Sequence, residues 1–370
     1  MTHGEKLEAM MEEYRLDAIL MGGLKNTLAL SQSSFPDEVW YEMMHGLDPS
    51  IIVFAPNGKS FAYSSRQVQL ENFPIEYRRY ELLPETAWVA AAQSFRDAGL
   101  DHARIGVDMG HTAAGLVEAL REALPDAEFV DAETVFMRLR SVKTPLEIEH
   151  TERAVEIAEG CFEDARDVFQ ENVPIGDVIR AMVHAVTERG GVPHLIHPYE
   201  LNCSDWRTTE PAVNGLNRNP AKMEPGVTTR LDICINYRGY YSDFKLAVCV
   251  GEPSAHALAV VEEHVQRMDY MAEIVRPGKT KREIHDALNK EFKHLDEFSW
   301  WLHGVGLDYH EEPRIGYQYP SSPDIRPEIV FEEGNVLALE PSWLVETHTV
   351  LEADGPRVLN RLNTRGITVL

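Results

Sequence analysis

Apolar and polar positions follow two periods along the chain, and the switches between them mark its parts. Helix-period stretches at Glu5–Tyr14, Glu85–Ala98 and Ala113–Leu124 are interleaved with strand-like runs at Asp17–Met21, Arg104–Val107 and Glu128–Val130, and with a hairpin folded at Asn57-Gly58. This interleaving predicts a small α/β lobe over residues 1–137. Arg138–Pro145 reads as a charged connection in which Thr144 caps a helix beginning at Pro145. That helix gathers Ile148, Ala154, Ala158, Phe162 and Ala165 on one face and opens a second lobe, residues 138–370. A further helix over Ile175–Glu188 stops at Gly190-Gly191. Pro193–Pro220 then reads as a polar loop, of a length that usually serves function.

Composition narrows the class. At 44% hydrophobic and 26% charged residues, the 370-residue chain has the make-up of a globular protein with a sizeable core. Its formal charge of −25 repels phosphate backbones and anionic lipid, so neither nucleic acid nor membrane is an expected partner. No apolar run approaches the ~20 residues that span a bilayer, and residues 1–15 lack a signal peptide's apolar core, so a cytoplasmic location is expected. The 4 cysteines form no C-x-x-C pair, which argues against a disulfide scaffold and a cysteine zinc site. Any metal must use oxygen and nitrogen ligands.

Chemistry concentrates after residue 230. Residues 231–250 alternate as two strands about a turn at Arg238-Gly239, which puts Asn236 opposite Tyr241 and Cys234 opposite Asp243. Asp232 and Cys234 then share a face with Asp243 and Lys245, and the aspartates become diagonal neighbours roughly 7–8 Å apart. Such carboxylates repel unless a cation lies between them, although a solvated hairpin face accommodates the same pair. His303 and His310 flank Gly304 and Gly306 in HGVGLDYHEEP, and either is equally a core or surface histidine. Glu340 ends the apolar run Val336–Glu340, where burial disfavours an unpaired carboxylate, and Glu346 follows across a short turn.

In order and spacing, LDICINYRGYYSD, HGVGLDYHEEP, EGNVLALEP and ETHTVLEADG resemble the metal-site segments of the pita-bread metallohydrolases: methionine and proline aminopeptidases, prolidase and creatinase. RLRSVKTPLEIEHTERA is similar to the linker and first helix of prolidases and creatinases, and the first lobe resembles a creatinase-type amino-terminal domain. The resemblance implies an α+β protein: a curved antiparallel sheet flanked by helices, preceded by a smaller α/β domain. It implies two divalent ions, with Asp232 on one, His303 and Glu340 on the other, and Asp243 and Glu346 bridging. Four carboxylates and one imidazole favour Mn²⁺ or Co²⁺, with Fe²⁺ or Zn²⁺ as alternatives. A hydroxide bridging the ions would attack a C–N bond while His310 donates to the carbonyl oxygen and Glu340 or Glu346 moves the proton. It also implies a homodimer, for which the aromatic segment Phe35–Met44 suggests a lid over the partner's site.

The surroundings depart from the peptidase pattern. Asn214-Gly215-Leu216-Asn217 replaces the segment that carries a histidine in peptidases, Ser299 and Leu344 replace a histidine and an arginine, and Lys245-Leu246-Ala247 replaces an Arg-Thr pair. His194 and His197 offer substitute imidazoles. Arg207 and Arg218 offer partners for a substrate carboxylate, or simply pair with Asp205 and Glu210 on the surface. Three readings follow: an Xaa-Pro dipeptidase or aminopeptidase-like enzyme, a small-molecule amide or amidine hydrolase of the creatinase or ectoine-hydrolase type, and a non-catalytic binding module. Cys234, where the dimethylsulfoniopropionate lyases carry an aspartate, argues against a lyase.

Overall fold

The computed structural model describes residues 3–21, 26, 51–56, 60–64, 76–79, 84–200, 222–292, 300–316, 329–341 and 345–370. These divide into two compact units, Met1–Arg140 and Ser141–Leu370. The hairpin turn at 57–58, the segment 35–44, and Arg207, Arg218, Asn214, Ser299 and Leu344 lie outside the described residues.

The first unit contains α1 (His3–Tyr14), β1 (Ala18–Met21), β2 (Ile51–Phe54), β3 (Phe61–Ser64), β4 (Glu76–Arg79), α2 (Pro84–Asp97), β5 (Arg104–Val107), α3 (Ala114–Ala123), β6 (Glu128–Asp131) and α4 (Glu133–Ser141). Its sheet runs β4-β3-β2-β1-β5-β6. Phe95, Leu116 and Leu120 pack on Leu20, Ile105 and Val107 in one core, and Leu7, Met11 and Phe136 pack on Ile19 and Met21 in another. Helix α4 continues through Ser141, so the first residues of the connection expected at 138–145 are helical.

The second unit begins with α5 (Pro145–Ala165), and its start is fixed by side chains: Glu147 N–H donates to Thr144 Oγ1 and Thr144 N–H donates to the Glu147 carboxylate. Then come α6 (Ile175–Glu188), β7 (Val192–Glu200), β8 (Thr228–Tyr237), β9 (Tyr240–Tyr241), β10 (Phe244–Cys249), α7 (Ala255–Ile274) and α8 (Lys281–Phe292). The chain finishes with β11 (Trp301–Gly304), β12 (Glu311–Gly316), β13 (Val336–Glu340), β14 (Thr347–Glu352), β15 (Gly355–Val358) and β16 (Ile367–Val369). Strand β7 corrects the loop expected from Pro193 onward. Pro193 and Pro198 suggest a loop, but β7 is an edge strand, where a residue without an N–H is tolerated. Helices α7 and α8 have no counterpart in the sequence reading, although Ala257, Val261, His264, Met268 and Met271 repeat at helical spacing.

Two sheets result, β16-β10-β8-β7 with β9 on β8, and the antiparallel β12-β11-β13-β14-β15. Ala158, Phe162, Ile179 and Met182 of α5 and α6 bury the Leu231, Ile233, Phe244 and Leu246 face of the first. Met268, Met271 and Leu288 of α7 and α8 bury the Leu302, Leu337, Leu339 and Leu351 face of the second. Each sheet thus turns one apolar face to helices, and the opposite faces carry the buried polar residues together with a smaller apolar cluster of Val305, Val336, Ala338 and Val350, against which Tyr241 of β9 packs. This is the pita-bread arrangement.

Candidate active site

The β8–β10 hairpin turns through Arg238 (φ 51°) and Gly239 (φ 97°), both left-handed, as a tight two-residue turn requires. Asn236 pairs with Tyr241, and Lys245 pairs with Asp232. The alternation expected from sequence therefore holds, and Asp232, Cys234, Asp243 and Lys245 converge on one buried face. The Cys234 thiol donates to Asp243 Oδ1 at 3.1 Å and approaches Asp232 Oδ1 at 3.6 Å. Burial, then the two aspartates, pushes its pKa far up, so it remains a thiol. The Asp243 backbone N–H donates to His348 Nδ1 at 3.1 Å, which ties this hairpin to β14.

From the other sheet comes His303, fully buried on β11. The β11–β12 register shifts between His303 and Gly304, and a Cβ on Gly304 would stand 2.4 Å from the Glu312 carbonyl oxygen, so glycine is required there. His303 Nδ1 lies 3.1 Å from the Gly304 carbonyl oxygen. A carbonyl only accepts, so the proton is on Nδ1 and Nε2 carries a lone pair. Nε2 has no hydrogen-bond partner and lies 3.7 Å from Asp243 Oδ2. Burial, then the neighbouring His310 imidazole, holds His303 well below the usual imidazole range, so it is neutral. Two electron-rich atoms thus face each other out of water. Ligands about 2.1 Å from a common ion stand about this far apart, so the pair fits a divalent cation.

The loop between β11 and β12 brings His310 to the same place, with ring centroids 4.3 Å from His303 and 5.7 Å from Trp301. Asp243, His303 and His310 each offer one ligand atom within 4.8 Å of the others, as do Asp232, Cys234 and Asp243. Burial, then Arg314 and Lys245, lowers His310 to about 4, so it too is neutral near pH 7. A buried ion pair holds this loop: Lys143 Nζ to Glu311 Oε2 at 2.8 Å, with the Asp308 N–H donating to Glu311 Oε1 at 3.1 Å.

Glu340 ends β13, and Glu346 bridges to Lys245 just before β14. Both are buried. Desolvation raises Glu340 to about 8 against the pull of Lys245, and likewise raises Glu346 and Asp243. Lys245 Nζ donates to Glu340 Oε1 at 2.7 Å and to Glu346 Oε2, and stands 3.8 Å from Asp232 Oδ2. Glu346 Oε1 has no partner.

All five acids and imidazoles singled out as metal ligands therefore meet, with His310 beside them. His194 lies outward, at the register shift in β7, its ring 5.0 Å from Tyr241 and 4.9 Å from Tyr309, which is itself 4.3 Å from His310. His197 occupies the β7 position opposite Asp232. Arg207 and Arg218 fall outside the described residues. The sequence reading gave Cys234 and Lys245 no role at the centre. The signal was their shared face with the two aspartates.

Both units have counterparts among known proteins. Residues 149–360 match metallopeptidase family M24, and residues 4–142 match the creatinase/prolidase N-terminal domain. The Xaa-Pro dipeptidase of Pyrococcus furiosus is 28% identical over 341 residues, 91% of this chain and 89% of the relative. The ectoine hydrolase of Halomonas elongata is 22% identical over 293 residues, 74% and 67% of the two chains. The crystal structure of a dipeptidase from Pyrococcus horikoshii superposes with a TM-score of 0.76 at 19% identity, covering 100% of both chains, a likeness of fold.

Proposed function

This chain belongs to metallopeptidase family M24 and is a peptidase-like metallohydrolase, and from that premise we propose that it cleaves the C–N bond of short peptides as an Xaa-Pro dipeptidase or aminopeptidase-like enzyme. We assign the catalytic centre to residues 138–370, with residues 1–137 as the amino-terminal domain of a cytoplasmic homodimer. The ligands are drawn from Asp232, Asp243, His303, Glu340 and Glu346, for Mn²⁺ or Co²⁺ ahead of Fe²⁺ or Zn²⁺. The observation that carries this reading is the neutral, buried His303 whose Nε2 lone pair faces the Asp243 carboxylate.

A divalent ion bound there supplies Lewis acidity and lowers the pKa of water. Glu340, at the end of β13 beside Glu346, is placed to carry the proton to the leaving nitrogen; Glu346 is the alternative carrier. Neutral His310 donates its N–H to the carbonyl oxygen as negative charge develops there. Arg207, Arg218, His194 and His197 are the candidates to hold the substrate's carboxylate.

The test is a panel of Xaa-Pro and proline-free dipeptides with Mn²⁺- or Co²⁺-loaded protein, alongside His303→Ala. Proline release by the wild type and its loss in the variant are expected. Release from no dipeptide, with turnover of a cyclic amidine such as ectoine, would establish the small-molecule hydrolase reading instead. That reading draws on the altered Asn214 and Lys245–Ala247 segments and the likeness to ectoine hydrolase.

A further inference from the structure

We propose that Lys245 takes the place of one divalent ion, so that the centre is mononuclear: its ammonium sits among Glu340, Glu346 and Asp232, and one ion is held between Asp243 and His303. This rests on the metal-dependent reading above and departs from the two ions implied by the resemblance.

Register delivers the lysine there. Lys245 stands directly opposite Asp232 in the β8–β10 ladder and, two residues after Asp243, points to the same face. Its side chain is 4% exposed, so the ammonium has no route to water that would relieve it of its partners. An ammonium has three donors, and three carboxylates surround this one: Glu340 at 2.7 Å, Glu346, and Asp232 at 3.8 Å. Three of the four carboxylates that would share two ions are thus engaged by a cation already in the chain.

Charge alone does not choose between one ion and two. Four carboxylates plus Lys245 leave about −1 with one divalent ion and about +1 with two. Space does choose. An ion on these oxygens would lie about 2.0–2.2 Å from them, inside the volume of an ammonium that stands 2.7 Å from Glu340. What Lys245 leaves open is the gap between Asp243 and His303. There Asp243 Oδ2 and His303 Nε2 face each other at 3.7 Å, and Nε2 has no hydrogen-bond partner. Those two atoms make one seat.

Chelator-stripped protein reloaded with Mn²⁺ separates the cases by calorimetric stoichiometry, elemental analysis and electron paramagnetic resonance. The wild type is expected to take up one Mn²⁺ per chain and give the six-line signal of an isolated ion. Lys245→Met, which keeps the length and removes the charge, should take up a second Mn²⁺, show a spin-coupled spectrum, and gain more in Tm from Mn²⁺ than the wild type does. Lys245→Arg should remain at one. Two ions in the wild type would overturn the proposal, because the lysine would then yield its seat to metal. So would one ion in Lys245→Met. If that variant fails to fold, the wild-type stoichiometry and spectrum still decide. Absence of Mn²⁺ from both proteins would overturn the metal-dependent reading itself, and this proposal with it.

Discussion

Replacing Lys143 by methionine tests how the His310 loop is held. The Lys143–Glu311 pair spans 2.8 Å with side chains 1% and 2% exposed, and a Cβ on Gly306 would come within 2.6 Å of Lys143 Cε. No room exists for water to take the lysine's place without displacing the loop. Methionine keeps the packing and leaves the Glu311 carboxylate without its buried cation, a change that costs about 3–5 kcal/mol. At about 2–4 °C per kcal/mol for a unit of this size, Tm should fall by roughly 6–20 °C. Calorimetric melting measures that fall, and kinetics on the surviving folded protein measures the site. Because Glu311 also accepts the Asp308 N–H two residues before His310, kcat should drop while the metal content stays constant. A Tm within about 2 °C of wild type would refute the assignment of this pair as the clamp.

Two further outcomes follow from the same geometry. His310→Ala should keep the ion and lose ~10²–10³-fold in kcat, the effect of removing one transition-state donor; loss of the ion would instead make His310 a ligand. Acid should destabilise the second unit through His264, buried on α7 and lowered to about 4 by burial and then by Arg267. The unfolded chain takes up this proton near 6.5 and the folded chain resists it, so stability is complete above that value and is lost as pH falls toward 4, by ~3 kcal/mol. The Tm difference between about pH 7.5 and pH 5 should therefore shrink in His264→Gln, and an unchanged difference would exclude His264 as a source.

Where local periodicity dictates structure, the sequence was a sufficient guide. The two-residue turn at Arg238-Gly239 sets the register that pairs Asn236 with Tyr241, and the Thr144–Glu147 capping box starts α5 where the Thr-Pro step predicts. The five residues proposed as ligands, which the fold brings together, were legible by resemblance to a known arrangement. Strand β7 was not, because Pro193, Pro198 and three polar residues carry no alternation, and an edge strand needs little. Lys245 shows the deeper limit. Its face could be read from the hairpin, but its partners Glu340 and Glu346 come from the other sheet, and no periodicity along one strand encodes what a second sheet will place against it.

That division of the centre between sheets has a mechanical consequence. Asp232, Asp243 and Lys245 belong to β8–β10 and its turn, whereas His303, Glu340 and Glu346 belong to the β11–β14 side, and among the described residues β-ladder contact between the two is the bridge of Lys245 and Glu346. The proposed ion between Asp243 and His303 would therefore be a rivet through the seam of two layers whose larger hydrophobic cores lie on their outer, helix-backed sides. Opening the seam breaks the coordination before it breaks either core, so metal should slow amide exchange in β10 and β11 together while leaving the helix-backed faces nearly unchanged.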